Sequence, residues 1–557
     1  MPAPDPRRRL LLLFALGALV RFGAWLAGPD RDAAFAAGYQ GDAPVWARLV
    51  TAPAGDPELA LPFRPPGMVW LCRLLSDGHS FGLARAIMAL LGAAIAPLVY
   101  LALRRGFRER VAFVAGAICA LSSSLALLSS GLHTETPYLL LVVLSLLDND
   151  RLRAGRLGAA ARFGGLSAAA CLFRADHLAF VALVGGWLIC CRRRHAARPL
   201  LVMVATMTAV LLPWQVHAAS AILQANSAGF KTSPPAALPL PGSLPWSDAA
   251  LHELAAMPAF ARTMAFRFVD DTVRARGGHG VDAADLDVLQ QAYGTRPEPL
   301  RTPLVALYGP LNFFLANCPE SSGGFTRQAL DREPPLTGGP GCYPRGLAAA
   351  LRGIRQLTFE YPPHLLAINH GYRLGLDWMR HDPGAALALV GKKLLLAWRG
   401  AATGFGGYAL PTGASGVREP VDLVTPTGGL AGAWRAALLV LTGLGLWRAR
   451  RHPAAAPWLC LLLAELVVVA LFFGYARLGA LCVPALALLW ALALDSDGGS
   501  GGVGGDERWR RHAATTLLVV CTGLELLRCG LGPRPEVRLD TAPVGDATHA
   551  RAWLDYR

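Results

Sequence analysis

Lysine is nearly missing from this sequence: of its 53 basic residues, three are lysines, Lys231, Lys392 and Lys393. Charge of either sign is thin as well, 16% of 557 residues against about 25% for an ordinary soluble domain. That scarcity excludes a soluble globule. No Gly-rich loop stands before a helix to cradle phosphate, so a nucleotide-binding fold is excluded. No run of His, Cys, Asp or Glu has metal-ligand spacing, and no Ser-His-Asp arrangement is legible. The first apolar block ends without a small-x-small cleavage site and reads as a retained helix, not a cleaved signal peptide. No internal repeat is visible.

What is present is apolar sequence, 54% of the chain. It comes in blocks of roughly 16 to 22 residues, the length that crosses a hydrocarbon core of about 30 Å. Blocks at about 10–28, 81–103, 111–130, 134–148, 161–175, 177–191, 199–217, 432–448, 455–473, 477–495 and 513–531 give eleven spans. The pair at 161–175 and 177–191 is short and could be one broken hairpin. The net charge of +15 is nearly all arginine. It gathers in short loops: Arg104, Arg105, Arg108 and Arg110; Arg151, Arg153, Arg156 and Arg162; Arg192, Arg193 and Arg194; Arg448, Arg450 and Arg451; Arg508, Arg510 and Arg511. With the N-terminus inside, every inside loop is arginine-rich, the positive-inside pattern. The positive charge is therefore topological and implies no nucleic acid partner. The fold expected is an all-α polytopic membrane protein of about eleven helices with a mainly helical extracytoplasmic domain. Its divisions are a membrane module at 1–217, the extracytoplasmic domain at 218–431, membrane helices at 432–531 and an outer tail at 532–557.

Two outside segments are long, about 29–80 and 217–431. In the second, 233–246 is a Pro-rich loop, and helical patterns cover 248–275, 282–293 capped by Asp282, and 383–399 with Asp382 and Pro383 as cap and first position. A Gly/Ser-rich inside linker covers 498–505. Of eleven cysteines, nine lie in or beside apolar stretches. Cys318 and Cys342 lie in the outside domain, where an oxidising compartment favours a disulfide between them; the alternative is two thiols.

Four outside elements carry candidate chemistry, each beside a plainer reading. Asp42 opens a short helix and is either its N-cap or a general base at the membrane surface. Arg64, before Pro65 and Pro66, belongs either to a rigid connector or to a phosphate contact at the headgroup level. In His133-Thr134-Glu135-Thr136, Glu135 either suits the positive end of the next helix or is a second working carboxylate on the face of Asp42. Arg174 and Asp176 either close a hairpin or mark a functional site, since ionisable residues at membrane depth are costly. All three lysines fall in the outside domain, where topology does not call for positive charge; a lysine is a compact cation suited to phosphate.

The order of these elements resembles the bacterial GT-C glycosyltransferases of the protein-mannosyltransferase type, which include the lipid A aminoarabinose transferases. Asp42, Ala43 and Trp46 resemble the family's Asp-Ala-x-x-Tyr element, with Trp46 in place of Tyr. Arg64-Pro65-Pro66-Gly67 looks like its Arg-x-Pro segment, Thr134-Glu135 like its Thr-Glu element, and Arg174 stands where the family has Arg-Pro. Pro213-Trp214 resembles the Pro-Trp that ends the span before the large outer domain. Leu311-Asn312-Phe313-Phe314-Leu315-Ala316-Asn317 is similar to an Asn-Phe-x-x-Gly-Asn stretch. Asp382-Pro383, Lys393 and Trp398 resemble a later Pro…Lys…Trp helix. Tyr475-Ala476-Arg477 with Pro484 resembles an Arg-Tyr-Arg…Pro element. The resemblance runs through about 1–495; residues 234–306 are an insertion against it.

The resemblance implies inverting transfer of a sugar from a polyprenyl phosphate to a lipid, glycan or protein acceptor, at the outer face of a bacterial cytoplasmic membrane. It implies Asp42 as base. Arg64, Arg174, Lys392, Lys393 and Arg477 would neutralise the lipid phosphate, and Asn312 and Asn317 would join them in substrate binding. Glu135 would orient the sugar or acceptor, or help hold a divalent ion such as Mg or Mn in members that use one; no other cofactor is implied. Two rival readings stand beside this one. A transporter of lipid-linked sugars predicts midplane charges and inverted repeats, and a non-catalytic envelope assembly protein leaves Asp42 and Glu135 as caps.

Overall fold

The computed structural model describes residues 5–26, 32, 42–53, 56–192, 195–228, 243–256, 265–266, 269–270, 273–274, 277–286, 299–324, 362–403, 429–474 and 476–495. Among them every regular element is helical, and one isolated parallel bridge joins Trp246 to Val281. The helices that matter here are α1 (Pro6–Leu26), α2 (Ala43–Thr51), α3 (Gly67–Leu75), α4 (Gly82–Leu103), α5 (Glu109–Leu121), α6 (Ser123–Ser129), α7 (Glu135–Leu146), α8 (Leu157–Cys171), α9 (Leu178–Arg192) and α10 (Ala197–Ala228). After them come α11 (Asp248–Ala256), α12 (Tyr308–Ala316), α13 (Pro362–His381), α14 (Pro383–Thr403), α15 (Gly429–Ala449), α16 (Ala456–Leu471), α17 (Ala476–Leu481) and α18 (Val483–Leu494).

Four helices are long and apolar enough to cross a membrane unaided: Pro6–Leu26, Gly82–Leu103, Ala197–Asn226 and Pro453–Leu471. The pair α5 and α6, bent by 54°, makes a fifth if it is taken as one broken span. Eleven spans are therefore not carried by length and apolarity alone. The stretches expected to span at 134–148 and 477–495 hold helices of 12 residues, α7 and α18, the latter preceded by the separate turn α17. A helix enclosed by other helices need not match the lipid thickness, because protein rather than lipid covers its ends. That holds for α18, in which every residue from Val483 to Ala493 is buried; its Trp490 donates its indole N–H to Thr442 Oγ1 at 2.9 Å. By contrast α10 exposes Leu201, Val204, Leu212, Val216 and Leu223, a face suited to lipid tails. The stretch 513–531, the tail, the 498–505 linker, Lys231 and Cys342 lie outside the described residues, as do the ends of the helices expected at 248–275 and 282–293. The proposed Cys318–Cys342 pair thus has one described member, Cys318, which is buried with its sulfur 3.5 Å from Leu315 O.

The main core joins α1, α4, α5, α7, α8, α9, α15, α16 and α18. A second apolar cluster joins Leu61 and Phe63 to α12 and α13 and includes Phe473, just past the end of α16. The bend between α5 and α6 has an identifiable cause. The last carbonyls of a helix lack internal partners. Here Ala120 O and Cys119 O accept from the guanidinium of Arg21 at 3.0 and 3.2 Å. Ser122 then restarts the helix by accepting from Leu125 N through its hydroxyl. Arg21 is wholly buried in α1, so a cation inside a span holds the broken end of its neighbour. The α6 segment leads into His133 and Glu135.

At the end read as inside, Asp148 takes Arg162 at 2.7 Å and Arg105 at 3.2 Å, and Arg9 pairs with Glu109 at 2.7 Å. These pairs tie the arginine-rich loops to the helix ends.

Replacing Arg21 by Leu orphans the two carbonyls at the end of α5, at about 1–3 kcal/mol. We expect a lower apparent Tm for Arg21→Leu in detergent by scanning fluorimetry. A Tm equal to wild type would show that the bend holds without the cation.

Candidate functional site

Asp42 stands at the first turn of α2, and its backbone carbonyl accepts from Trp46 N. Its side chain makes no capping bond. The carboxylate turns instead to α17 and accepts from Arg477 Nη1 at 2.7 Å. The same guanidinium lies 3.5 Å, through Nε, from Glu135 Oε1 at the start of α7. That oxygen accepts from Arg174 Nη1 at 3.0 Å, and Arg174 forks onto both oxygens of Asp176. Five alternating charges from four chain segments thus form one line: Asp42, Arg477, Glu135, Arg174, Asp176. Glu135 is 1% exposed, whereas Asp42 is 20% exposed and so can be reached by a substrate. The pairing of Arg174 with Asp176 that the hairpin alone suggested is present, but Arg174 also reaches across to Glu135.

Arg64 lies at one end of this line. Its guanidinium sits 5.6 Å above the rings of both Trp46 and Phe63. The connector around it is pinned on both sides. Gly67 N donates to Leu172 O at 2.7 Å; Leu307 N and Tyr308 N donate to Pro62 O and Phe63 O. Burial by itself would raise the Asp42 carboxyl. The charges of Arg477 and Arg64, the Arg477 hydrogen bond and His133 outweigh it and hold Asp42 below its ordinary value of 3.8. Asp42 is therefore a carboxylate at neutral pH. Burial, helped by Arg477 and against the pull of Glu135, pushes the neighbouring His133 imidazole down to about 4, so it stands neutral beside the acids.

Three groups here were missed from sequence. Tyr308 opens α12 with its ring 6.4 Å from Phe63. Burial first, then Asp176, raises its hydroxyl above the ordinary tyrosine value, while Arg174 and Arg64 oppose. No local signal marks it. His133 was legible as part of the His-Thr-Glu string. Glu465 is one acid in the apolar run of α16, a signal that was available. It is buried and accepts from Tyr138 OH at 2.9 Å; His177 Nδ1 lies 3.3 Å from the same hydroxyl, and Arg174 rests 5.6 Å over the Tyr138 ring. Polar contacts thus continue from the charged line into the bundle.

Other expected residues lie elsewhere. Lys392 is exposed on α14 and Asn312 is half-buried on α12. Lys393 is wholly buried and donates to Asn317 Oδ1 at 2.9 Å and Ala470 O at 3.3 Å.

Asp42 and Glu135 each give an oxygen to Arg477, and among the described residues no three His, Cys, Asp or Glu side chains are grouped to hold a metal. Chemically the line offers a reachable carboxylate flanked by fixed cations, an arrangement that can accept a proton and neutralise a departing anion.

The depressed pKa of Asp42 fixes a sign. Its pairing contributes stability that is present above pH 3.8, the unfolded value, and is lost as pH falls through the lower folded value. The gap in apparent Tm between wild type and Asp42→Asn should hold from pH 7 down to about 4 and close below it. A gap that closes already near pH 6 would show that Asp42 is not held by its arginines.

No known family model and no curated protein matches the sequence. In structure the chain is similar to the oligosaccharyltransferase of Archaeoglobus fulgidus. Against its apo form the identity is 14%, over 95% of this chain and 56% of that chain, with a TM-score of 0.40. Against the same organism's archaeal oligosaccharyltransferase AglB in complex with an inhibitory peptide and a dolichol-phosphate, the identity is 15%, over 94% and 55%, with a TM-score of 0.39. Against the form tethered by a disulfide to an acceptor peptide it is 14%, over 94% and 55%, at 0.39. The chain spans little more than half the length of each.

Proposed function

We propose that this protein is an inverting glycosyltransferase of the GT-C type that moves a sugar from a polyprenyl-phosphate donor to an acceptor at the outer face of a bacterial cytoplasmic membrane. The observation that carries this reading is the line Asp42–Arg477–Glu135–Arg174, in which a reachable carboxylate stands among arginines where apolar helices end. The acceptor hydroxyl gives its proton to the Asp42 carboxylate as its oxygen bonds to the anomeric carbon. The bond from that carbon to the phosphate oxygen breaks on the opposite face, and its electron pair leaves with the lipid phosphate. Arg64 and Arg477, whose charges already act on Asp42, are the cations placed to meet that phosphate. Glu135 holds Arg477 and Arg174 in place, so the cations are set before the reaction begins, which is what electrostatic preorganisation requires. The ring faces of Trp46 and Phe63 under Arg64 restrain it in the same way. Arginine does the neutralising in this reading.

The test is transfer by the detergent-purified protein from a panel of radiolabelled polyprenyl-phosphate sugars, with a membrane extract as acceptor source. Wild type should release lipid phosphate, and Asp42→Asn should be slower by about 10²–10⁴-fold, the usual worth of a positioned base. Equal turnover in both would remove Asp42 from its role. Neither binding nor turnover of any donor by wild type would sink the transferase reading.

A further inference from the structure

Lys393 has a setting that a phosphate contact would not have. It is 0% exposed. Its ammonium is met by two neutral oxygens, Asn317 Oδ1 at 2.9 Å and Ala470 O at 3.3 Å. Ala470 belongs to the last turn of α16, where carbonyls lack helical partners and the helix dipole is negative. Asn317 completes the arrangement by donating its amide to Leu471 O and to Phe313 O, each at 2.7 Å. A cation and an amide together therefore close the end of α16. Burial pushes the Lys393 ammonium down to about 7, the mark of a charge seated at a cost.

The chain that leaves this closed end is the one that carries Arg477. Phe472 packs edge-on against Phe313 with centroids 5.7 Å apart. Gly474 N donates to Gly323 O at 2.8 Å. A Cβ on Gly474 would lie 2.2 Å from Lys393 Cα, and one on Gly479 would lie 1.8 Å from Ala397 O. So the chain before α17 lies against the backbone of Lys393 itself, and α17 lies backbone to backbone on α14 one helical turn further on, at Ala397. Arg477 lies between Gly474 and Gly479.

We infer that Lys393 is a positioning residue: by closing the C-terminus of α16 together with Asn317, it sets the path of residues 470–474 and so the place of the Arg477 guanidinium between Asp42 and Glu135. Lys393 does not touch the donor. This rests on the transferase reading for its effect on rate, and on geometry alone for its effect on Arg477.

The experiment compares wild type with Lys393→Met, which keeps length and loses all donors, and Lys393→Gln, which keeps one donor group. Two quantities are read: steady-state kinetics per folded molecule, and the rate at which phenylglyoxal modifies Arg477, followed by peptide mass mapping. Lys393→Met should lower kcat about 10- to 100-fold, the usual effect of a misplaced catalytic group, with the donor KM within about twofold. Arg477 should be modified several-fold faster, and Lys393→Gln should recover part of both losses. An unchanged kcat in Lys393→Met would reduce Lys393 to packing and overturn the inference. A raised donor KM with kcat unchanged would make Lys393 a donor contact and overturn it equally. Should wild type transfer no sugar, that failure belongs to the transferase reading, and Arg477 modification decides alone: equal rates in wild type and variant reject the positioning role. Should Lys393→Met fail to fold, the same two readings on Lys393→Gln decide.

Discussion

The guanidinium of Arg477 reaches two acids at once, one at the start of α2 and one at the start of α7. Without it the carboxylates of Asp42 and Glu135 would face each other across a largely dry space, where like charges repel strongly. With it, each acid has a counter-charge, Asp42 also gains a hydrogen bond, and Asp42 keeps 20% exposure. Arg174 repeats the arrangement one step deeper, between Glu135 and Asp176. The cluster is therefore a single electrostatic unit, in which moving either cation changes the pairing of Glu135 and of one other acid.

Two cations elsewhere are held by a different device. Arg21 and Lys393 are buried among carbonyls and an amide oxygen, and each closes the C-terminal end of a helix that belongs to another part of the chain. A helix end supplies partial negative charge without a carboxylate. It lets a cation sit deep in the bundle without adding an acid that could compete for Arg477. At the same time it ties two helices together at a defined register, which apolar packing alone leaves free to slide.

Much of the cluster was legible in order along the chain. Glu135, Arg174 and Arg477 stand in sequence as charged residues at the ends of apolar blocks and Asp42 in the segment between the first two, and the expected topology puts all four at one face. Their pairing was not legible, because Arg477 is far from Asp42 in sequence and Asp42 looks like an ordinary helix cap. The different settings of the two lysines were not legible either: Lys392 and Lys393 are adjacent, yet on a helix neighbours face different directions, so one is exposed and the other buried. Tyr308 could not have been picked out, since its place depends on the backbone bonds that dock α12 on residues 62–63. The helices themselves were foreseen well where lipid covers them. Short, enclosed helices such as α7 and α18 were not separable from spans, because burial by protein and burial by lipid select the same residues.

The early end of α5 makes it and α6 a short pair. Its 13 residues rise roughly 20 Å at about 1.5 Å each. The 7 residues of α6, inclined by 54°, add about 6 Å. Together they fall short of a hydrocarbon core of about 30 Å. Yet no residue from Val111 to Ser129 is exposed, so neighbouring helices and not lipid cover this short pair. The level at which the chain emerges at His133 and Glu135 is then set by the packing partners of α5 and α6 and is indifferent to the thickness of the bilayer.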